Sequence, residues 1–123
     1  MRALLALALC LWPIAAGGQS LRGQWTIEIP SKPEYMATFL VDAERRATWD
    51  SAYGKMVGYV ARADNLRATI IITNRDEVAH MQCAIKSSDL MYCHNFLADG
   101  GISALLKLVR VGPGPKNLTQ APQ

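Results

Sequence analysis

His80-Met81-Gln82-Cys83-Ala84-Ile85-Lys86-Ser87-Ser88-Asp89-Leu90-Met91-Tyr92-Cys93-His94 is the stretch around which the rest of the chain is organised. It has the pattern of two strands either side of a Ser-Ser-Asp turn. Folded back about Ser88, the strands put Cys83 directly opposite Cys93, and side chains that face each other across an antiparallel pair are close enough to bond. The expected unit is a stapled β-hairpin, with other hairpins before it and one strand after.

The segments around it repeat the theme. Gly23 to Ile29 alternates strictly, with Trp25, Ile27 and Ile29 on one face and Gln24, Thr26 and Glu28 on the other, the mark of a half-buried strand. Pro30 stops it. The next stretch has two solutions. Ser31-Lys32-Pro33-Glu34 matches a capping box with an early proline, which predicts a helix near residues 33–46 and an α+β fold. Alternatively Tyr35, Ala37, Phe39 and Val41 share one side of a strand. An internal echo favours the strand: Asp42-Ala43-Glu44-Arg45 and Asp64-Asn65-Leu66 each look like an Asp-led turn feeding Arg-Ala-Thr.

Further strands are expected over 55–63, 66–73, 78–86, 90–96 and 102–111, separated by polar or Gly-containing turns. The acidic residues Asp42, Glu44, Asp50, Asp64, Asp76, Glu77, Asp89 and Asp99 fall mainly in those turns. On the last strand Ile102, Ala104, Leu106, Leu108 and Arg110 share the more apolar face. The inward set expected over the chain is Trp25, Ile27, Ile29, Phe39, Ile70, Ile72, Met81, Ile85, Leu106 and Leu108. The fold class is therefore all-β, an antiparallel up-and-down meander of about eight strands closed into a small barrel, which removes the edge-strand hazard.

At the N-terminus, Arg2, the apolar run Ala3 to Leu11, Pro13 and the small residues Ala15 to Gly18 have the grammar of a secretory signal peptide. The run is shorter than the roughly 20 residues of a spanning helix. Leu7-Ala8-Leu9-Cys10 superficially suggests a lipoprotein box, but the Leu before the Cys argues against it. Three parts are expected: a signal peptide over 1–18, a barrel domain over 19–111 and a flexible tail over 112–123, where Gly, Pro and polar residues dominate. Asn117-Leu118-Thr119 is a glycosylation sequon only in a eukaryotic chain.

The layout resembles the calycin superfamily, whose best-known members are lipocalins and avidin-type barrels. Gly23-Gln24-Trp25 on the first strand and Arg110 on the last carry the resemblance. The lipocalin Thr-Asp-Tyr of the second conserved loop is missing; Thr73-Asn74-Arg75-Asp76 does not match it. The resemblance implies a binding protein with a small-ligand cup. In a closed meander the start of the first strand meets the end of the last. That puts the Arg110 guanidinium on the face of Trp25 and makes both structural residues.

Chemistry-bearing residues are sparse. Cys83 and Cys93 are the two cysteines left after processing, and in an exported chain a disulfide is the expected state. His80 and His94 lie near them, but regular strands point both histidines to the opposite face. That geometry disfavours a shared metal, and no metal or cofactor is expected. Met36, Met56, Met81 and Met91 either line an apolar cup or fill a core. No hydrolase elbow, zinc-protease pair, phosphate loop or calcium loop is present.

The formal charge of +3 is scattered without a basic stripe, which disfavours nucleic acid. The expected protein is thus secreted or periplasmic, without a membrane span, a small β-barrel that binds a small apolar ligand. The alternative is a module for a secreted protein partner, such as an enzyme inhibitor acting through its loops. An enzyme is the third and least favoured class.

Overall fold

The computed structural model describes residues 20–74 and 77–118, with only the backbone of Asn74 among them. The expected signal peptide, Asp76 and the last residues of the tail lie outside this range. Eight strands follow in order: β1 (Gly23–Ile29), β2 (Lys32–Val41), β3 (Arg46–Ser51), β4 (Gly54–Ala63), β5 (Arg67–Asn74), β6 (Glu77–Ser87), β7 (Leu90–Leu97) and β8 (Leu106–Gly112). Each pairs with the next, and β8 pairs with β1, so the sheet is a closed antiparallel barrel. Residues 32–41 are strand, as the Asp-led echo predicts. The capping-box pattern loses because Ala37, Phe39 and Val41 alternate into the core.

Several connections are as short as a hairpin allows. Pro30–Ser31, Ala52–Tyr53 and Ser88–Asp89 each join two strands with two residues. Gly54 follows Tyr53 at φ 132°, a conformation natural only to glycine. The β2–β3 turn carries Arg45 at φ 68°. The β7–β8 connection, residues 98–105, is longer.

The core lies inside the barrel and is assembled by register. Trp25 pairs with Phe39, Phe39 with Trp49, and Trp49 with Met56. Ile70 pairs with Met81, Met91 with Leu108, and Leu108 with Ile27. Trp25, Ile27, Phe39, Ile70, Ile72, Met81, Met91, Leu106 and Leu108 are at most 2% exposed. Ile29 and Ile85 pack against this cluster at its margin. The methionines divide: Met81 and Met91 fill the core, Met56 borders it, and Met36 lies 61% exposed on the outside.

One expectation needs correction. The last strand begins at Leu106, not Ile102. Leu90 pairs with Val109 and Cys93 with Leu106, a register that would continue to Phe96 opposite Ser103. Instead Phe96 bridges Ile102, one residue out of step. The surplus residue is absorbed over 103–105 and breaks the alternation. Ile102 and Ala104 are therefore exposed, not inward.

Gly112 ends β8, and the chain as far as Leu118 is held against the barrel end. Arg22 donates to the Gly114 carbonyl at 3.1 Å, Ala43 N–H to Lys116, and Leu118 N–H to Asp42. Gly114 lies so close to Val41 and Gly23 that a Cβ there would fall 2.3 Å from the Val41 carbonyl oxygen.

Candidate binding surface

The barrel interior is the first place to seek a ligand, and it is occupied by protein. Trp25, Phe39 and Trp49 are buried within it together with the aliphatic rows of β5 to β8, and the disulfide runs between β6 and β7. Cys83 and Cys93 are bonded, directly opposite on β6 and β7 and facing inward. His80 and His94 face outward from the same two strands, which keeps them away from the sulfurs as strand parity predicts. Among the described residues no cluster of three His, Cys, Asp or Glu is placed to hold a metal ion.

One end of the barrel is closed by a charged network. The Arg110 guanidinium lies 4.4 Å from the centre of the Trp25 ring system, within cation–π range. Its Nε and Nη2 donate to the Ser88 carbonyl at 3.0 and 2.8 Å, Nη2 also to Ser20 at 3.0 Å, and Nη1 to Arg22. Asp89 stands 3.4 Å away. Burial lowers the guanidinium's pKa, and the Asp89 carboxylate opposes that shift. An arginine remains charged at any physiological pH. The indole N–H of Trp25 meanwhile donates to the Leu21 carbonyl at 3.0 Å. Sequence parity found this pair; the carbonyl bonds to the lead-in segment were not visible in it.

Asp42 closes the same end. It was expected at a turn, where acids are normally solvated, yet it is only 1% exposed. Its Oδ1 accepts from the backbone N–H of Glu44 and Arg46, and its Oδ2 from Arg46 Nε and Leu118 N–H. Desolvation would raise its pKa, but the bonds from Leu118, Arg46 and Glu44 outweigh it, and the net shift is downward. Arg46 extends the network to Glu44 and Asn117.

At the opposite end Trp49 Nε1 donates to the Tyr35 hydroxyl at 3.0 Å, and Tyr53 stacks parallel to Tyr35 with centroids 6.3 Å apart. A shallow cleft of about 320 Å³ beside them is lined by Ile29, Lys32, Glu34 and Met36.

The outer face of β4 to β7 carries a group of exposed aromatic and aliphatic side chains. Strand register lays Tyr59, Ile71, His80 and Phe96 in one row, and Val57, Thr73 and Val78 in the next. Tyr59 and Val57 are each 52% exposed, and Val78 and Phe96 about 40%. Two clefts run along this face. One of about 320 Å³ lies among Val78, His80, Gln82, Phe96, Leu97 and Ala98. The other, about 390 Å³, is bounded by Arg62, Asp64, Leu66, Arg67, Thr69 and Gln82. Sequence reasoning missed this surface because it looked at each strand singly. The signal was there in the runs Val57-Gly58-Tyr59 and Ile70-Ile71-Ile72, whose odd members had to face water.

Among the described residues no helix is long and apolar enough to cross a membrane. No protein family, curated protein or solved structure matches this chain.

Proposed function

We propose that the chain is a binding protein that works through its outer surface, as a module for a secreted protein partner. The observation that carries this reading is the filled interior. An eight-stranded barrel is near the size at which side chains alone can occupy the inside. Here Trp25, Phe39, Trp49, Met81 and Met91 do so, and a small apolar ligand would have to displace them. The short connections shift the contact area away from loop tips. The described two-residue links offer little area, whereas the outer face of β4 to β7 presents aromatic and aliphatic side chains together. Aromatic anchors in an uncharged field, with charge confined to the rim, are the composition of a protein-binding patch.

The inward disulfide supports an oxidising compartment, secreted or periplasmic. The meander order, with Trp25 against Arg110, supports placing the chain near the calycins by layout. Native mass spectrometry of the protein purified from its own source tests the reading. The expected spectrum shows a bound protein. A stoichiometric small apolar molecule retained in place of a protein partner would overturn it.

A further inference from the structure

Gln82 lines both clefts on the outer face, so they adjoin along β6. The two ends of the pair differ in chemistry. Val78, Phe96 and Leu97 make one end apolar; Arg62 and Arg67 make the other basic. From Val78 to Ala84, the residue opposite Arg67, β6 extends about 20 Å, enough for about six residues of extended chain.

The basic end is furnished to receive an acid. Asp64 is the nearby carboxylate, but its Oδ1 is engaged by the backbone N–H groups of Leu66 and Arg67, both at 2.8 Å. Those bonds, with the field of Arg62 and Arg67, hold its pKa down, so it remains a charged acceptor serving its own turn. Among the described residues neither arginine has a carboxylate within ion-pair distance. Gln82 adds a third donor. Its side-chain oxygen accepts from the Thr69 hydroxyl at 2.8 Å, which leaves its NH₂ group to donate elsewhere. The closed barrel also excludes one mode of recognition: it has no free edge, so a partner strand cannot extend the sheet. Contact here must be made by side chains.

We infer that the two clefts form one groove that takes an extended segment of the partner protein, with an acidic side chain on Arg62 and Arg67 and apolar side chains on Val78, Phe96 and Leu97. The inference rests on the surface-binding function proposed above and names the chemistry of its partner. Charge complementarity sets the direction of the segment. Paired guanidinium groups suit a carboxylate, which each can bind through two parallel hydrogen bonds.

The probe is acetyl-Asp-Asp-Gly-Val-Phe-Leu-amide, titrated into isotopically labelled protein and followed by NMR. Shifts are expected at the Gln82 side-chain amide and at the backbone of Arg62, Arg67, His80 and Phe96. In Arg62→Glu with Arg67→Glu the Kd should rise at least about tenfold, and the same peptide with two lysines for the aspartates should recover that loss. Absence of binding, shifts centred on Tyr35 and Tyr53, or a charge-reversed protein that binds both peptides alike would each overturn the groove. Concentration-dependent shifts at the same residues without peptide, the mark of a second copy, would do so too. A copurifying protein whose binding ignores the double reversal leaves surface binding standing and removes only this assignment.

Discussion

Replacing Arg110 by alanine should cost about 4 kcal/mol, and most of that loss should survive when Trp25 is already leucine. The ring contact at 4.4 Å contributes roughly 0.5–2 kcal/mol. Bonds to the carbonyls of Ser20, Arg22 and Ser88 contribute about 1 kcal/mol apiece after solvent competition. The pair with Asp89 is solvated on the carboxylate side and contributes roughly 0–1 kcal/mol. If the indole contact were the whole role, the loss would vanish in a Trp25→Leu background. The carbonyl bonds do not pass through the indole, so the double-mutant coupling should be only about 1 kcal/mol.

Urea unfolding of the four oxidised proteins measures these differences, provided the slopes agree. Arg110→Ala should also lower Tm by about 20 °C, from the usual 4–8 °C per kcal/mol for a domain of this size. A loss below about 1 kcal/mol would refute the latch. Coupling indistinguishable from zero would refute the cation–π contribution.

Four further outcomes concern other parts of the barrel. Asp42→Asn should cost about 2–3 kcal/mol, because an amide cannot accept all four donors that converge on the carboxylate. In the wild type the folded pKa of Asp42 is depressed. Its stabilisation is fully present above the ordinary carboxylate value near pH 4, and is lost as pH falls through the folded pKa; urea midpoints between about pH 2 and 6 check the sign. Reduction of Cys83–Cys93 should cost about 2–3 kcal/mol from loop entropy, read as the difference in urea stability with and without reductant. Gly58→Ala should destabilise by about 1–3 kcal/mol, since its Cβ would fall 1.8 Å from the Ile71 carbonyl oxygen; thermal unfolding checks it.

The barrel was legible where one residue could be judged against its neighbour two positions on. Trp25-x-Ile27 and Phe39-x-Val41 state which side is buried, and the Cys83 and Cys93 positions state the register of their hairpin. Arg110 was found in the same way, as the charged end of an apolar row. The failures share a cause: each depends on contacts between distant parts of the chain. Asp42 has the local signature of a solvated turn acid, and only the approach of Leu118, from 76 residues away, completes its shell. Residues 102–105 carry strand-like composition, yet the slip between Phe96 and Ile102 is decided by the pairing already set at Leu90 and Val109. The proposed groove is more distant still from any local pattern, because Arg62, Gln82 and Phe96 come from three strands, β4, β6 and β7.

The seam between β1 and β8 has a consequence for how the chain is made. Every other pairing joins neighbours in sequence, but Trp25 must wait for Arg110. A chain growing from its N-terminus can form each hairpin as it emerges, and still present β1 and the newest strand as bare edges until residues 106–112 appear. Closing that seam spans most of the domain, so it is the slow, high-separation step, and the interval before it is when the nascent sheet is most prone to pair with other chains. A message truncated before Leu106 would leave that state permanent: seven strands, two open edges, and Trp25 without its partner.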